Sequence, residues 1–245
     1  MNDSIMMDGI EILVTKKTNL KNLYVRIIPP NGEVRVTSPT NISLNDINLF
    51  LIKKMPEIIK VREKMLQQER QSIRQYVSGE THYLWGKPFR LQVIQNGNKY
   101  SIKKRLNKLI FSVPISSTTK SREKAFDNWY RSELKRVLDI VSNRLQIRTN
   151  IFASEFRIKN MKTRWGTCNI NDRRIWINLQ LVKKPVECLE YVVTHELVHL
   201  IEENHTNRFN SLVDYFYPGW KETREHLKNL PLDYLDNGDT INESI

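Results

Sequence analysis

Hydrophobic and polar positions alternate along residues 10–38. Ile12 and Val14 stand between polar neighbours, Leu23, Val25 and Ile27 repeat the pattern, and Val34 and Val36 continue it. Spacing of two predicts strands that bury one face, and Pro29-Pro30-Asn31-Gly32 supplies a turn between them. Ser43, with Asp46 three residues on, reads as a helix N-cap. The helical pattern after it is expected to break at Pro56 and to resume as a charged helix to about Gln75. Residues 80–114 return to β: Phe89, Leu91 and Val93 alternate, Asn96-Gly97-Asn98 turns, and 110–113 is a further apolar strand. Ser121 reads as the cap of a long amphipathic helix. Its Phe126, Trp129, Tyr130, Leu134, Val137, Leu138 and Val141 recur at spacings of three and four and form a core stripe.

Beyond residue 155 the pattern is strand (Phe156, Ile158), the Trp165-Gly166-Thr167-Cys168 segment, a polar turn, and strand (Ile175, Ile177). Three helices follow. One starts at Pro185 and runs to about Glu202, one carries Phe209, Leu212, Val213 and Phe216, and a short one begins near Trp220 after the Tyr217-Pro218-Gly219 break. No internal repeat and no clean linker are visible. The reading is an α+β protein: residues 1–120 form an antiparallel β region with a helical excursion, and residues 121–245 form a compact second domain.

Composition narrows the class. At 245 residues, 40% hydrophobic and 27% charged, the chain is of globular type. It has no apolar run long enough to span a bilayer, and acidic residues stand at the N-terminus where an export signal needs basic ones. The two cysteines, Cys168 and Cys188, are too few for a disulfide scaffold. A cytoplasmic protein is expected. The net charge of +12 is uneven: residues 1–150 hold 27 Lys and Arg against 13 Asp and Glu, and the remainder hold 12 against 14. Residues 1–150 could therefore attract nucleic acid, although no nucleic-acid motif accompanies the charge; a plain solvated surface is the competing reading.

The chemistry concentrates in HELVHLIEENH, residues 195–205, which holds three of the five histidines. His195 and His199, four apart on a helix, project from one face and can share one Zn²⁺. Glu196 lies off that face yet within reach of a water at the metal. Three protein ligands leave a position open for catalysis, and His205 is the third candidate, because Asn204 and Thr206 let the chain turn back. The competing reading is a satisfied core cluster. The apolar neighbours Val192, Val193, Leu197, Val198 and Leu200 weigh against it, since two imidazoles and a carboxylate are costly to bury unless something pairs them. Glu196 would serve as general base to the attacking water and then return the proton to the leaving amine. His226, Tyr234 and Arg164 are candidates to stabilise the oxyanion.

The segments MKTRWGTC (161–168), IWINLQL (175–181), PVECLEYVVTHELVHL (185–200), NH (204–205) and PGWKETR (218–224) together resemble the YgjP-like zinc metallopeptidases. That family is related to the SprT/Spartan-type proteases. The resemblance runs in order along essentially the whole chain and is densest over 155–228. Thr167 stands where the family usually has Ser, which keeps the hydroxyl. The resemblance implies a zincin-like, minigluzincin-type fold for 121–245 with an HExxH helix, zinc on His195, His199 and His205, and catalysis by Glu196. It also puts Arg164, Trp165 and Gly166 beside the cleft as substrate-binding residues, where an extended peptide could add to the sheet edge. Gly166 would allow close backbone approach, and Trp165 could be a cleft wall or plain core. Three functions compete: a zinc peptidase acting on protein or peptide substrates, a nucleic-acid-associated protease of the SprT/Spartan type, and a non-catalytic zinc-containing binding or regulatory module.

Overall fold

A computed structural model describes residues 2–28, 31–67, 74–96, 98–161 and 164–230. The architecture is α+β, with three sheets and five α-helices among the described residues. No helix among them is long and apolar enough to cross a membrane. The chain divides into two compact units, one within residues 1–72 and another within 73–230. The unit that carries the HExxH segment thus starts well before the expected boundary at 120. The physical reason lies in its core. The stripe of the long helix, Phe126, Tyr130, Leu134 and Leu138, is buried together with Phe89, Leu91, Leu109 and Phe111 of the preceding strands.

In the first unit, strands β1 (Asn2–Met7), β2 (Ile10–Lys17), β3 (Tyr24–Ile28) and β4 (Glu33–Pro39) form a sheet of order β1-β2-β4-β3. The outer pairs are antiparallel and the central β2–β4 pair is parallel, so this region is not purely antiparallel as expected. Helix α1 (Leu44–Gln67) covers one face, and Ile47, Leu51, Met55 and Ile58 pack with Ile12, Val14, Val25, Ile27, Val34 and Val36. Ser43 caps α1 as expected, its Oγ accepting from the Asp46 N–H. Pro56 lies inside α1 without breaking it. Four apolar side chains at helical spacing, all at most 4% exposed, hold the turns on either side of it in register. The chain at 74–77 is not helical, and the rest of the expected extension beyond Gln67, like the Pro29-Pro30 turn and Gly97, lies outside the described residues.

The second unit begins with the same topology. Strands β5 (Thr81–Leu84), β6 (Lys87–Gln95), β7 (Ser101–Arg105) and β8 (Lys108–Val113) are ordered β5-β6-β8-β7, again with antiparallel outer pairs and a parallel centre. Helix α2 (Thr119–Thr149) follows. A ββββα arrangement therefore occurs twice, a repeat the sequence does not display. The N-cap of α2 is Thr118, and Ser121 is its capping-box partner three residues in.

A third sheet, in the same unit, is built from β9 (Glu155–Lys159), β10 (Gly166–Asn169) and β11 (Arg174–Asn178), in the order β10-β11-β9. β10 is an edge strand, antiparallel to β11. A 3₁₀ turn (Leu179–Lys183) leads into α3 (Val186–Val198), and α4 (Asn207–Phe216) and α5 (Trp220–Asn229) follow. α3 packs against α2, α4, α5, β10 and β11. That position explains why Leu189, Val193, Leu197 and Val198 are all fully buried.

Candidate metal centre

α3 is N-capped by Pro185 and ends at Val198, with His199 as C-cap. Tyr191, His195 and His199 are one helical turn apart and so share a face. After His199 the chain tightens: Leu200, Ile201 and Glu202 N–H groups donate back to the carbonyls of Leu197 and Val198, and the Thr206 N–H donates to Asn204 O at 2.7 Å. Thr206 then caps α4, its side chain accepting from the Phe209 N–H at 3.2 Å. These two reversals return His205 to the face of α3.

The result is a cluster of four rings. His195, His199 and His205 have mutual centroid distances of 4.8–5.0 Å. The Phe209 ring lies 4.6–4.9 Å from each of them. Phe209 is 1% exposed and forms the apolar floor of the cluster; in the sequence it is only one member of the α4 stripe. The histidine donor atoms all lie within 4.8 Å of one another, close enough to hold one metal ion. His195 Nε2 and His205 Nε2 approach to 3.0 Å. His199 Nδ1 donates to the Glu202 carbonyl at 3.2 Å, which fixes its tautomer and leaves the Nε2 lone pair free. Burial, reinforced by the two other imidazoles and by Arg224, lowers the His195 pKa to about 3, and burial also lowers that of His199. Those two imidazoles are therefore neutral at physiological pH, the form that coordinates. An all-imidazole set of three suits zinc-type ions and leaves room for a further ligand.

Glu196 lies on the adjacent face of α3 and is only 5% exposed. Burial pushes its carboxyl up to about 8, against the opposing pull of Arg164. Its carboxyl lies against Gly166 of β10: a Cβ at 166 would fall 2.6 Å from Glu196 Oε1 and 2.7 Å from Cγ. This close approach explains why glycine stands at the edge strand. Asn178 anchors the preceding segment. Its Nδ2 donates to the carbonyls of Met161 and Arg164, at 2.9 and 2.7 Å, and its N–H donates to Trp165 O at 2.9 Å. Nothing in its sequence context singles Asn178 out.

The cleft over the histidines has a volume of about 740 Å³. Arg164, Trp165 and Gly166 line it. Trp165 combines the two readings open to it, since its half-buried ring also packs on the core. Cys168 lines the cleft too, and burial raises both cysteine thiols to about 11, so neither is a ready nucleophile. His226 is exposed on α5 and does not line the cleft; Tyr234 lies outside the described residues. Four residues that the sequence does not single out also line it: Ile170, Tyr191, Glu203 and Arg224. Arg224 follows Trp220 by one turn, its guanidinium 6.0 Å from that ring, and Trp220 stacks on Tyr191 at 6.3 Å. The signal for Arg224 was its place in PGWKETR, six residues after Pro218.

Comparison with known proteins agrees with the geometry. Among curated proteins none matches the chain. Among solved structures, the chain is similar to the metallopeptidase zymogen abylysin of Pyrococcus abyssi, at 19% identity over 40% of this chain and 99% of that one, with a TM-score of 0.36. It is also similar to the metallopeptidase zymogen jannalysin of Methanocaldococcus jannaschii, at 24% identity over 37% of this chain and 91% of that one, with a TM-score of 0.33. Likeness of that depth carries no weight for the site. The family comparison does: the profile described as YgjP-like, metallopeptidase domain, matches residues 21–230, which includes every residue of the cleft named above. The chain belongs to the YgjP-like metallopeptidase family and is a metal-dependent peptide hydrolase.

Proposed function

We propose that the chain is a zinc peptidase in which His195, His199 and His205 hold the metal and Glu196 is the general base. The observation that carries this reading is the convergence of three imidazoles beside a buried carboxylate that has no ion-pair partner among the described residues. Bound zinc supplies Lewis acidity, which polarises a carbonyl and lowers the pKa of a water. Glu196 takes the proton of the attacking water at a carboxylate oxygen and passes it to the leaving nitrogen. Its elevated pKa suits that second transfer, because the protonated form is then a stable donor near neutral pH.

Edge strand β10 offers the substrate backbone an antiparallel partner, with Arg164, Trp165 and Gly166 at its entrance. Arg224 and Arg164 are the cations placed to stabilise the oxyanion, and Arg224 takes the part considered for His226. A purely structural zinc site has no use for Glu196, which weighs against the non-catalytic reading. A protease of the SprT/Spartan type would use the same residues and would need in addition a nucleic-acid surface elsewhere on the chain.

The test is mass-spectrometric cleavage mapping on a diverse peptide pool, with zinc-loaded wild type and zinc-loaded Glu196→Gln. Cleavage by wild type and a loss of about 10²–10⁴-fold in the variant, with full zinc content in both, is the expected result. Equal cleavage by both proteins removes Glu196 from the mechanism.

A further inference from the structure

Residues 81–122 contain nine Lys and Arg and not one Asp or Glu. The register of the β5–β8 sheet shows where part of that charge goes. Arg90 on β6 is level with Lys108 on β8, and Lys108 is level with Arg105 on β7. Register partners point to the same side of a sheet, so these three cations form one row across three strands. The neighbouring row on the same face is Gln92, Ile110 and Lys103. The other face holds Leu91, Leu109 and Phe111 and is the core side. Arg90, Lys103, Arg105 and Lys108 are all exposed, and none is in an ion pair among the described residues.

Several cations elsewhere in the same unit are ion-paired: Arg136 with Glu133, Arg144 with Glu190, Arg157 and Arg174 with Glu155, Arg208 with Glu202, and Lys228 with Glu225. The β1–β4 sheet is an internal control, since it has the same topology. Its solvent-side row is Leu13, Arg35 and Arg26, where Arg35 is paired with Glu33, and Glu11 lies on the same face. Like charges level on adjacent strands are destabilising. The first sheet also sets two like charges level, Arg26 and Arg35, but there Glu33 pairs with Arg35 and Glu11 shares the face, whereas no Asp or Glu occurs on the strands of the second sheet.

We propose that the solvent face of β6, β8 and β7 docks the sugar–phosphate backbone of a duplex nucleic acid. Three cations at strand spacing span about 10 Å, and they meet a polyanion by releasing its counterions. The face offers no cluster of aromatic rings on which unpaired bases could stack, which favours a duplex over a single strand. Half-buried Ile110 is the main apolar residue among its two rows, so a protein partner would find little to anchor on. One leucine, Leu106 at the β7–β8 tip, is 95% exposed; a lone side chain is a weak membrane anchor. The surface is separate from the metal cleft, and the proposal stands whether or not the peptidase reading does.

The experiment is fluorescence anisotropy of the full chain with a 20-base-pair DNA duplex across a series of salt concentrations. Four phosphate contacts predict a slope of log K against log salt of about −3 to −4. Arg105→Glu/Lys108→Glu should weaken binding at least about tenfold at low salt and flatten the slope by about two. Lys124→Glu/Lys135→Glu, the same charge change on exposed positions of α2, should alter affinity less than about twofold. Thermal melts of both variants check that the fold is retained. Three results would overturn the proposal: no duplex binding at low salt, equal weakening by the two double variants, or tighter binding to single strands or to vesicles of anionic lipid than to the duplex.

Discussion

The two ββββα arrangements share strand order, pairing sense and a covering helix, yet they have been put to different uses. The first closes on itself: ten buried side chains of β2, β3, β4 and α1 complete its core. The second does not end at its helix. The core beneath α2 continues into β11 and α3, and the same cluster includes Phe209, Val213, Trp220 and Leu227 of α4 and α5. Topology alone therefore carries no chemistry. The histidine cluster and the cleft over it belong to an extension whose apolar side is part of that core, so that the buried face of α3 fixes the direction of its histidine face. The contrast also extends to the outer surfaces, where residues 2–39 carry five Lys and Arg against four Asp and Glu, and residues 81–113 carry seven against none.

The largest expected effect is confined to the extension. His205→Ala should lower zinc affinity by more than the roughly 10–100-fold that follows loss of a supporting group, and chelation of wild type should abolish cleavage. At about 100 times the dissociation constant, zinc stabilises its host by about 2.7 kcal/mol. Calorimetry with and without zinc should move the melting of the second unit and leave the first in place. A metal-dependent shift of both would mean that the units do not melt separately.

Core truncations come next. Leu51 in α1 and Leu134 in α2 are both fully buried, and replacing either with Ala should cost about 2–5 kcal/mol. Only Leu134→Ala should also weaken zinc binding, because α2 supports α3. Urea titration followed by a zinc-affinity measurement on each variant distinguishes the cases; equal loss of affinity would erase the distinction drawn here.

A subtler break uses the glycines. Gly166→Ala places a Cβ 2.6 Å from the Glu196 carboxylate. Displacing that group by about 1 Å should cost about 10²-fold in kcat with zinc content unchanged. The first unit offers the matching structural case. Gly32 has φ +66°, and Arg62 donates to its carbonyl. Gly32→Ala should cost about 1–2 kcal/mol of stability through the left-handed backbone and leave kcat alone. Steady-state kinetics beside melting curves read both.

These contrasts also mark what was legible in the chain. The α2 stripe, the α4 face, the Tyr217-Pro218-Gly219 break and the return of His205 follow from local spacing, and local rules are readable one residue at a time. β1 was not read, because NDSIMM has weak alternation and gains its strand character from pairing with β2. The repeated topology was invisible because it depends on which strands become neighbours, and unrelated residues satisfy it equally well. The start of the second compact unit near residue 73 was invisible for the same reason: Phe126 and Leu134 share a core with residues of β6 and β8. At the site, the HExxH spacing is local and readable. Arg224 and Asn178 reach their positions through α5 and β11 and could be seen only once those elements were packed.

The smallest effect separates the two sheets by pH. On the edge strand of the first sheet, Ile5 is level with buried Ile12. In the second sheet the corresponding strand carries His82, 3% exposed and stacked on Phe126 at 4.5 Å, with Nε2 3.0 Å from Glu80. Burial lowers its pKa from 6.5 to about 4; Arg74 and Lys183 push the same way, and Glu80 opposes them. Between those values the unfolded chain binds a proton at His82 that the folded chain does not. Stability should therefore fall as pH drops from 6.5 towards 4, and this residue should contribute no slope above 6.5. His82→Gln keeps a hydrogen-bonding group for Glu80 and removes the titration. Urea midpoints at about pH 7.0, above that window, and at about pH 5.5 and 4.5, within it, should converge for wild type and variant at the acid end if His82 is responsible. Parallel profiles would assign the acid sensitivity to other groups, and the two sheets would then differ in their surfaces and extensions but not in the protonation of their cores.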